Sequence, residues 1–294
     1  MASAATTLTG APGAPGAPGA TRRGPSLPTR VLRFVSRHLV ATAAALTLLY
    51  MFLPVFVVVL FSFNDPAGRL NYTWNSFTVS NWANVCGVPG MCDAVWLSIQ
   101  IALLATVVAT GLGTLIAFAL ARHRFRGRAA TNLLIFLPMA TPEVVMGSSM
   151  LALFVNANLI ALGFWTILLA HVMFCISFVV VTVKARLSGM DARLEQAAMD
   201  LYADEWSTFR RITLPLAMPG IVAAALLAFA LSFDDFIITN FNSGSTVTFP
   251  MYVWGAAQRG VPPQVNVIGA LMFLVALAVV LGGQLANAAR TRRP

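Results

Sequence analysis

Charge is scarce in this chain. Of its 294 residues only 10% are Asp, Glu, Lys or Arg, where a soluble domain carries about 25%. The mean hydropathy is +0.79 and 58% of residues are hydrophobic. That balance excludes an ordinary soluble fold and assigns the chain to a bilayer. Acid is scarcer than base, with ten acidic residues against nineteen basic ones and a net charge of +9. The excess does not point to nucleic acid. The basic residues sit in short loops beside apolar runs, and the ordered aromatic–basic interleaving of single-strand binders is missing. The three histidines, His38, His123 and His171, are dispersed, and no His–Glu or Cys–His spacing offers a metal site. His171, inside an apolar run, reads as a packed polar contact between helices. The G-x-x-x-x-G-K-[ST] phosphate cradle is absent, so no nucleotide cofactor is expected in this chain. No nucleophile–base set is visible either, and the chain is not expected to be an enzyme by itself.

What is present is a series of long apolar segments. Residues 1–28 are low-complexity, with Ala-Pro-Gly repeated, and read as a disordered tail that cannot bury a core. Six apolar runs come after it, at about 38–63, 94–121, 131–155, 164–183, 216–241 and 265–288. Each approaches or exceeds the roughly 20 residues needed to span hydrocarbon. They are too long and too unalternating for barrel strands, so the expected fold is all-α, a polytopic membrane protein with six transmembrane helices. The third run is interrupted by Pro138 and Pro142. Gly111, Gly113 and Gly147 are expected to allow close helix packing.

Lys and Arg set the orientation. Seventeen of the nineteen fall on one side of this topology, and only Arg69 and Arg259 on the other. Both termini and the loop after the fourth span are therefore expected in the cytoplasm, in a multi-pass protein of the cytoplasmic membrane.

That loop, residues 188–220, holds half of the acidic residues: Asp191, Glu195, Asp200, Asp204 and Glu205. Ser188 with Asp191 three residues on reads as a capping box that opens a helix. Pro215 and Pro219 are expected to stop the helical stretch beyond it. The predicted object is a short helix, a turn and a second short helix outside the membrane.

The loop resembles the signature of bacterial ABC importer permeases, E-A-A, three residues, G, nine residues, I-x-L-P. Here Gln196, Ala197 and Ala198 are followed by Tyr202, then Ile212, Leu214 and Pro215 at the family's spacing. Gln196 replaces the usual Glu, although Glu195 is adjacent. Tyr202 replaces a Gly, which would accept a left-handed turn that Tyr resists. The resemblance implies a type I ABC importer permease fold, with a transmembrane domain over 29–294. It also implies that 188–215 is a coupling loop docking on an ATPase, through Glu195, Gln196, Ala197, Ala198, Asp200, Tyr202, Ile212, Leu214 and Pro215.

A second stretch, from Ser232 to Phe273, resembles the second permease subunit of bacterial spermidine/putrescine importers. It includes Asp234-Asp235-Phe236, Asn242-Ser243-Gly244 and Pro263-Gln264-Val265-Asn266; Ser62-Phe63-Asn64 and the run Leu137–Gly147 also fit. The implied partners are a paralogous permease, two ATPase subunits that bind ATP and Mg, and a soluble extracytoplasmic substrate-binding protein. The implied cargo is a polyamine, or another small solute moved by a related permease. An ion-coupled secondary transporter with Glu143 as a proton site is a competing reading; such proteins often carry internal repeats, and none is visible.

Ionisable residues within spans are costly and therefore informative. Glu143, Asp234 and Asp235 are candidates for a cation path, with Phe236 and Trp254 close in sequence. Each has a structural alternative. Glu143 could satisfy backbone groups freed by Pro138 and Pro142, and the Asp pair could cap a loop at the interface. Adjacent helical residues point about 100° apart, so one Asp of the pair is expected to face the path, and Asp235 is the one assigned to it. Cys86 and Cys92 flank a turn on the side where oxidation is permitted and are disulfide candidates; two free loop thiols are the alternative.

Overall fold

The computed structural model describes residues 27–291 apart from 69, 159 and 192, with side chains described within 38–285. The expected tail lies outside the described residues except for its last two, Leu27 and Pro28, which begin the first helix. Helices then succeed one another: α1 (Leu27–Phe61), α2 (Ser80–Ala83), α3 (Met91–Arg122), α4 (Arg128–Ala140), α5 (Glu143–Ala157), α6 (Phe164–Ser188), α7 (Arg193–Asp200), α8 (Glu205–Thr208), α9 (Leu214–Asp234), α10 (Ile237–Asn242), α11 (Phe249–Arg259) and α12 (Pro263–Thr291). A π-helical turn, Phe209–Thr213, joins α8 to α9. Among the described residues extended backbone pairs only at one isolated bridge, Asn64 with Phe77.

Among the described residues five helical segments are long and apolar enough to cross a membrane: His38–Phe61, Met91–Arg122, Phe164–Ser188, Glu205–Asp234 and Pro263–Leu285. The remaining expected span, the third, is a bent pair, α4 and α5, which turn by 107° at Thr141-Pro142. Pro142 forces the residue before it out of the helical region, and Thr141 has ψ 133. The Leu137 carbonyl at the break is taken by the amide and hydroxyl of Thr141, at 3.0 and 2.8 Å.

The chain divides into two units, residues 1–56 and 57–294. The described part of the first is residues 27–56 of α1, whose Leu39, Leu46, Leu49 and Tyr50 are all exposed. A helix apolar all round is suited to hydrocarbon.

In the second unit α3, α6 and α9 pack on one another, and α10 lies on α5 and α6. Lipid is as apolar as Leu, so close packing must hold such helices together. The sequence supplies it with small residues at three- and four-residue intervals on α3: Ala102, Ala105, Ala109, Gly113 and Ala117 are all buried. A Cβ on Gly113 would stand 2.6 Å from Val179 Cγ1 of α6, so only glycine allows this approach. Gly147 serves likewise, since a Cβ there would meet Phe241 at 2.9 Å and the Ile238 Cα at 3.3 Å. Gly111 differs from expectation, with open space where its Cβ would be.

Three further expectations are corrected. Ser188 does not open a helix. It ends α6, its hydroxyl donating back to the Lys184 carbonyl at 2.9 Å, and Asp191 instead accepts from the Arg193 amide at 2.9 Å to start α7. Pro215 and Pro219 do not stop the chain either. Both lie in the first turns of α9: the wide π turn directly before Pro215 accommodates its missing donor amide, and Pro219 is carried within the helix. The fifth span does not run to 241: it breaks after Asp234 and restarts as α10.

Candidate functional site

Most of the residues singled out by the sequence fall in two regions. The first is the polar loop after α6. In α7, Ala198 is buried while Gln196, Ala197 and Asp200 are exposed. The helix ends in a Schellman motif: the Ala203 amide donates to the Ala198 carbonyl at 3.1 Å, and the Tyr202 amide to the Met199 carbonyl at 3.0 Å. The residue at the left-handed position of this motif is Tyr202, with φ +64. The turn the family builds on glycine therefore forms here on tyrosine, at a conformational cost.

Glu195 ties this loop to the spans. Its Oε1 accepts from the Arg122 guanidinium at the end of α3, at 2.5 Å, and from the Thr213 hydroxyl just before α9, at 2.7 Å. The pair is half-buried, with side chains 28% and 19% exposed, so it is screened less than a surface pair. An aromatic row runs alongside: Trp206 stacks on Phe209 with ring centroids 5.7 Å apart, and Phe209 meets Phe118 of α3 edge-on at 5.4 Å. Arg186 of α6 donates to the Leu216 carbonyl of α9 at 3.0 and 2.8 Å. Ile212 and Leu214 are partly buried where this region enters α9, and Pro215 is in its first turn. Three spans thus converge on the loop.

The second region is the break between α9 and α10. Asp234 is exposed at the end of α9. The Asp235 carboxylate, 4% exposed, turns inward. It accepts from the amide and hydroxyl of Thr239, both at 2.8 Å, and from the Ile238 amide at 3.4 Å. It therefore caps α10. His171 of α6 stands beside it, with Nε2 3.3 Å from Asp235 Oδ2 and 2.9 Å from Thr239 Oγ1, and Nδ1 2.7 Å from Ser232 Oγ. The Thr239 hydroxyl proton points to Asp235, so its oxygen accepts from His171 Nε2–H; the Ser232 hydroxyl then donates to Nδ1. His171 is the interhelical contact expected of it, bonded to two hydroxyls and standing beside a carboxylate that the sequence had assigned to a path. Of the pair, Asp235 faces a neighbouring helix and Asp234 is free to face outward, the reverse of the assignment from sequence.

Phe236 and Trp254 come together, ring centroids 5.3 Å apart, in a cleft of about 910 Å³ also lined by Asn240, Tyr252, Gln258 and Arg259. Glu143 is not among the residues lining that cleft. It is exposed at the first position of α5, directly after the 107° bend, where the amide end of a helix favours negative charge. Across the rim of the cleft, Cys86 and Cys92 are joined by a disulfide, Cα to Cα 5.5 Å, in the loop that contributes Val88 and Gly90. Sequence reasoning missed the knot at the end of α1. There Asn64 donates to Asn71 Oδ1 at 2.6 Å, and Asn81 donates to the carbonyls of Ser62 and Asn64 at 3.1 and 2.9 Å, all buried. Ser62-Phe63-Asn64 was the readable fragment of it.

A bundle of apolar spans with one broken pair and a polar helical loop bonded to three spans is the architecture of a polytopic membrane protein. Residues 109–293 match the family described as binding-protein-dependent transport system inner membrane component. The chain belongs to that family, the membrane component of ABC importers and not an enzyme by itself. It is 39% identical over 237 residues to the spermidine/putrescine transport system permease protein PotC of Haemophilus influenzae, covering 80% of this chain and 91% of that protein. It is 38% identical over 230 residues to the putrescine transport system permease protein PotI of Escherichia coli, covering 76% and 81%. In fold it resembles a chain of a bacterial alginate ABC transporter in complex with an alginate pentasaccharide-bound periplasmic protein, with TM-score 0.63 at 14% identity, over 90% of this chain and 99% of that one. A chain of the MetNI methionine ABC transporter matches with TM-score 0.55 at 14% identity, over 67% and 95%. Family membership sets aside the ion-coupled secondary transporter.

Proposed function

We propose that this chain is a permease subunit of an ATP-driven importer of polyamines. The observation that carries the cargo is the 39% identity to a relative named as a spermidine/putrescine permease. In this reading a paralogous permease completes the pathway, two ATPase subunits bind ATP and Mg, and a soluble binding protein delivers the cargo. The charge distribution, with seventeen of nineteen basic residues on one side, supports a cytoplasmic location for both termini and for the loop 188–215.

The mechanism is built on the contacts. The ATPase pushes on α7. Glu195, bonded to Arg122 and Thr213, passes that displacement to α3 and α9 as one body, and the Trp206–Phe209–Phe118 row does the same through packing. The α9–α10 break, pinned by His171 and Asp235, is the element that rearranges at the other end. A polyamine is a flexible polycation. Asp234 and Glu143 offer it spaced negative charge, and the faces of Phe236 and Trp254 attract ammonium groups by about 0.5–2 kcal/mol each. Asp235 acts differently, by holding α10 in place.

The test is a set of single variants in the whole complex: Glu143→Gln, Asp234→Asn and Asp235→Asn. The first two are expected to assemble with the ATPase and lose polyamine uptake. The third is expected to lose uptake together with heat stability. If Glu143→Gln and Asp234→Asn both assemble and take up polyamine normally, these carboxylates are not the path.

A further inference from the structure

Tyr202 departs from its family's pattern in a way that its own chain does not repay. It occupies the left-handed position of the α7 Schellman turn, where glycine fits without strain. Its ring is 100% exposed, touching nothing that would offset the backbone conformation. Leu201 beside it is 81% exposed and Trp206 is 66% exposed. The patch is rimmed by the exposed carboxylates of Asp200, Asp204 and Glu205. This end of the molecule is the polar side of the bundle, so lipid is not what covers these rings.

We propose that Tyr202 is the anchor of the ATPase interface, a projecting ring that inserts into an apolar socket with a basic rim on the ATPase subunit. The proposal rests on the reading of 188–215 as the coupling loop. Charge and shape select the occupant. Three carboxylates around an aromatic knob call for a partner surface that is positive at its edge and apolar at its centre. The αL backbone turns the ring away from α7, so it protrudes and can enter a pocket, where a residue of the helix proper would lie flat. The buried Ala198 carbonyl and the Met199 carbonyl hold that turn through their bonds to Ala203 and Tyr202, so the ring is presented in a fixed direction. Aromatic residues that fill pockets at the centre of an interface dominate binding energy.

The experiment uses the permease heterodimer in nanodiscs and its separately purified ATPase subunit, with affinity and heat stability measured for Tyr202→Gly, Tyr202→Phe and a change at the exposed Ala197, Ala197→Arg. Tyr202→Gly relieves the strained turn, so the permease itself should melt no lower than wild type. Its affinity for the ATPase should nevertheless fall by roughly tenfold or more, the loss expected of an interface anchor. Tyr202→Phe should bind nearly as wild type, because the ring and not the hydroxyl fills the socket. If Tyr202→Gly binds as tightly as wild type while Ala197→Arg abolishes binding, the anchor is overturned and the coupling loop stands. If Ala197→Arg also binds normally, the coupling-loop reading itself fails. A Tyr202→Gly permease that unfolds at lower temperature would make the residue structural and overturn the anchor too.

Discussion

Replacing His171 with Phe removes one member of the buried cluster that fastens α10 to α6 while keeping most of the volume. The imidazole sits 2% exposed, bonded to Ser232 and Thr239 and 3.3 Å from the Asp235 carboxylate. Removing one partner of a buried pair costs about 3–5 kcal/mol when the other is left bare. Asp235 is not left bare, because Thr239 still donates to it twice. What is lost is the hydrogen bond to the Thr239 hydroxyl and the satisfaction of the Ser232 hydroxyl, about 2–3 kcal/mol together. In a domain of this size that lowers the melting temperature by roughly 5–10 °C. The assay is thermal unfolding in nanodiscs, run as a double-mutant cycle with Asp235→Asn. The two changes act on one network, so their combined cost should fall short of the sum of the single costs by about 1 kcal/mol or more. A His171→Phe protein that melts with the wild type, or costs that add in full, would refute the claim that this cluster fixes α10.

Two other outcomes are expected from contacts at the two ends of the bundle. Glu195→Arg should uncouple ATP hydrolysis from uptake, and Arg122→Glu in the same chain should restore part of the coupling by reversing the pair; recovery that is absent, with both proteins folded, would remove the pair from the transmission route. Cys86→Ser with Cys92→Ser should lower the stability of the outer loop by about 2 kcal/mol, the chain-entropy value for so short a loop, while leaving membrane insertion intact; limited proteolysis at 86–92 measures it, and unchanged protection would show that the bond constrains nothing.

The spans were legible because hydrophobic length needs no tertiary information. The loop 188–215 was legible because five of its positions keep fixed spacing in a chain with almost no other polar stretch. The break after Asp234 was not. FDDFIITNF keeps an apolar rhythm across it, and the signal is only that Asp235 and Thr239 are placed to bond one turn apart. The partner that decides the matter, His171, lies far earlier in the chain, on α6, and no local pattern reports that distance. Pro215 misled for a related reason. Its penalty holds for a regular helix, and the π turn at Phe209–Thr213 removes the conflict. Tyr202 misled least: the sequence located the strain, and the structure put the residue at φ +64. The cleft at Phe236 and Trp254 depends on α11 folding back toward the end of α9, which neither stretch encodes alone.

The most direct test is uptake by the complete importer, with this chain, its partner permease and the ATPase in proteoliposomes and the binding protein outside. Radiolabelled spermidine and putrescine, an amino acid and a monovalent cation are offered in turn, with ATP and Mg placed on the face that bears residues 188–215. Polyamine should accumulate only with ATP on that face and the binding protein on the other, and neither the amino acid nor the cation should accumulate. Accumulation of a different solute under the same conditions would contradict the cargo, and polyamine uptake that needs neither ATP nor binding protein would contradict the importer itself.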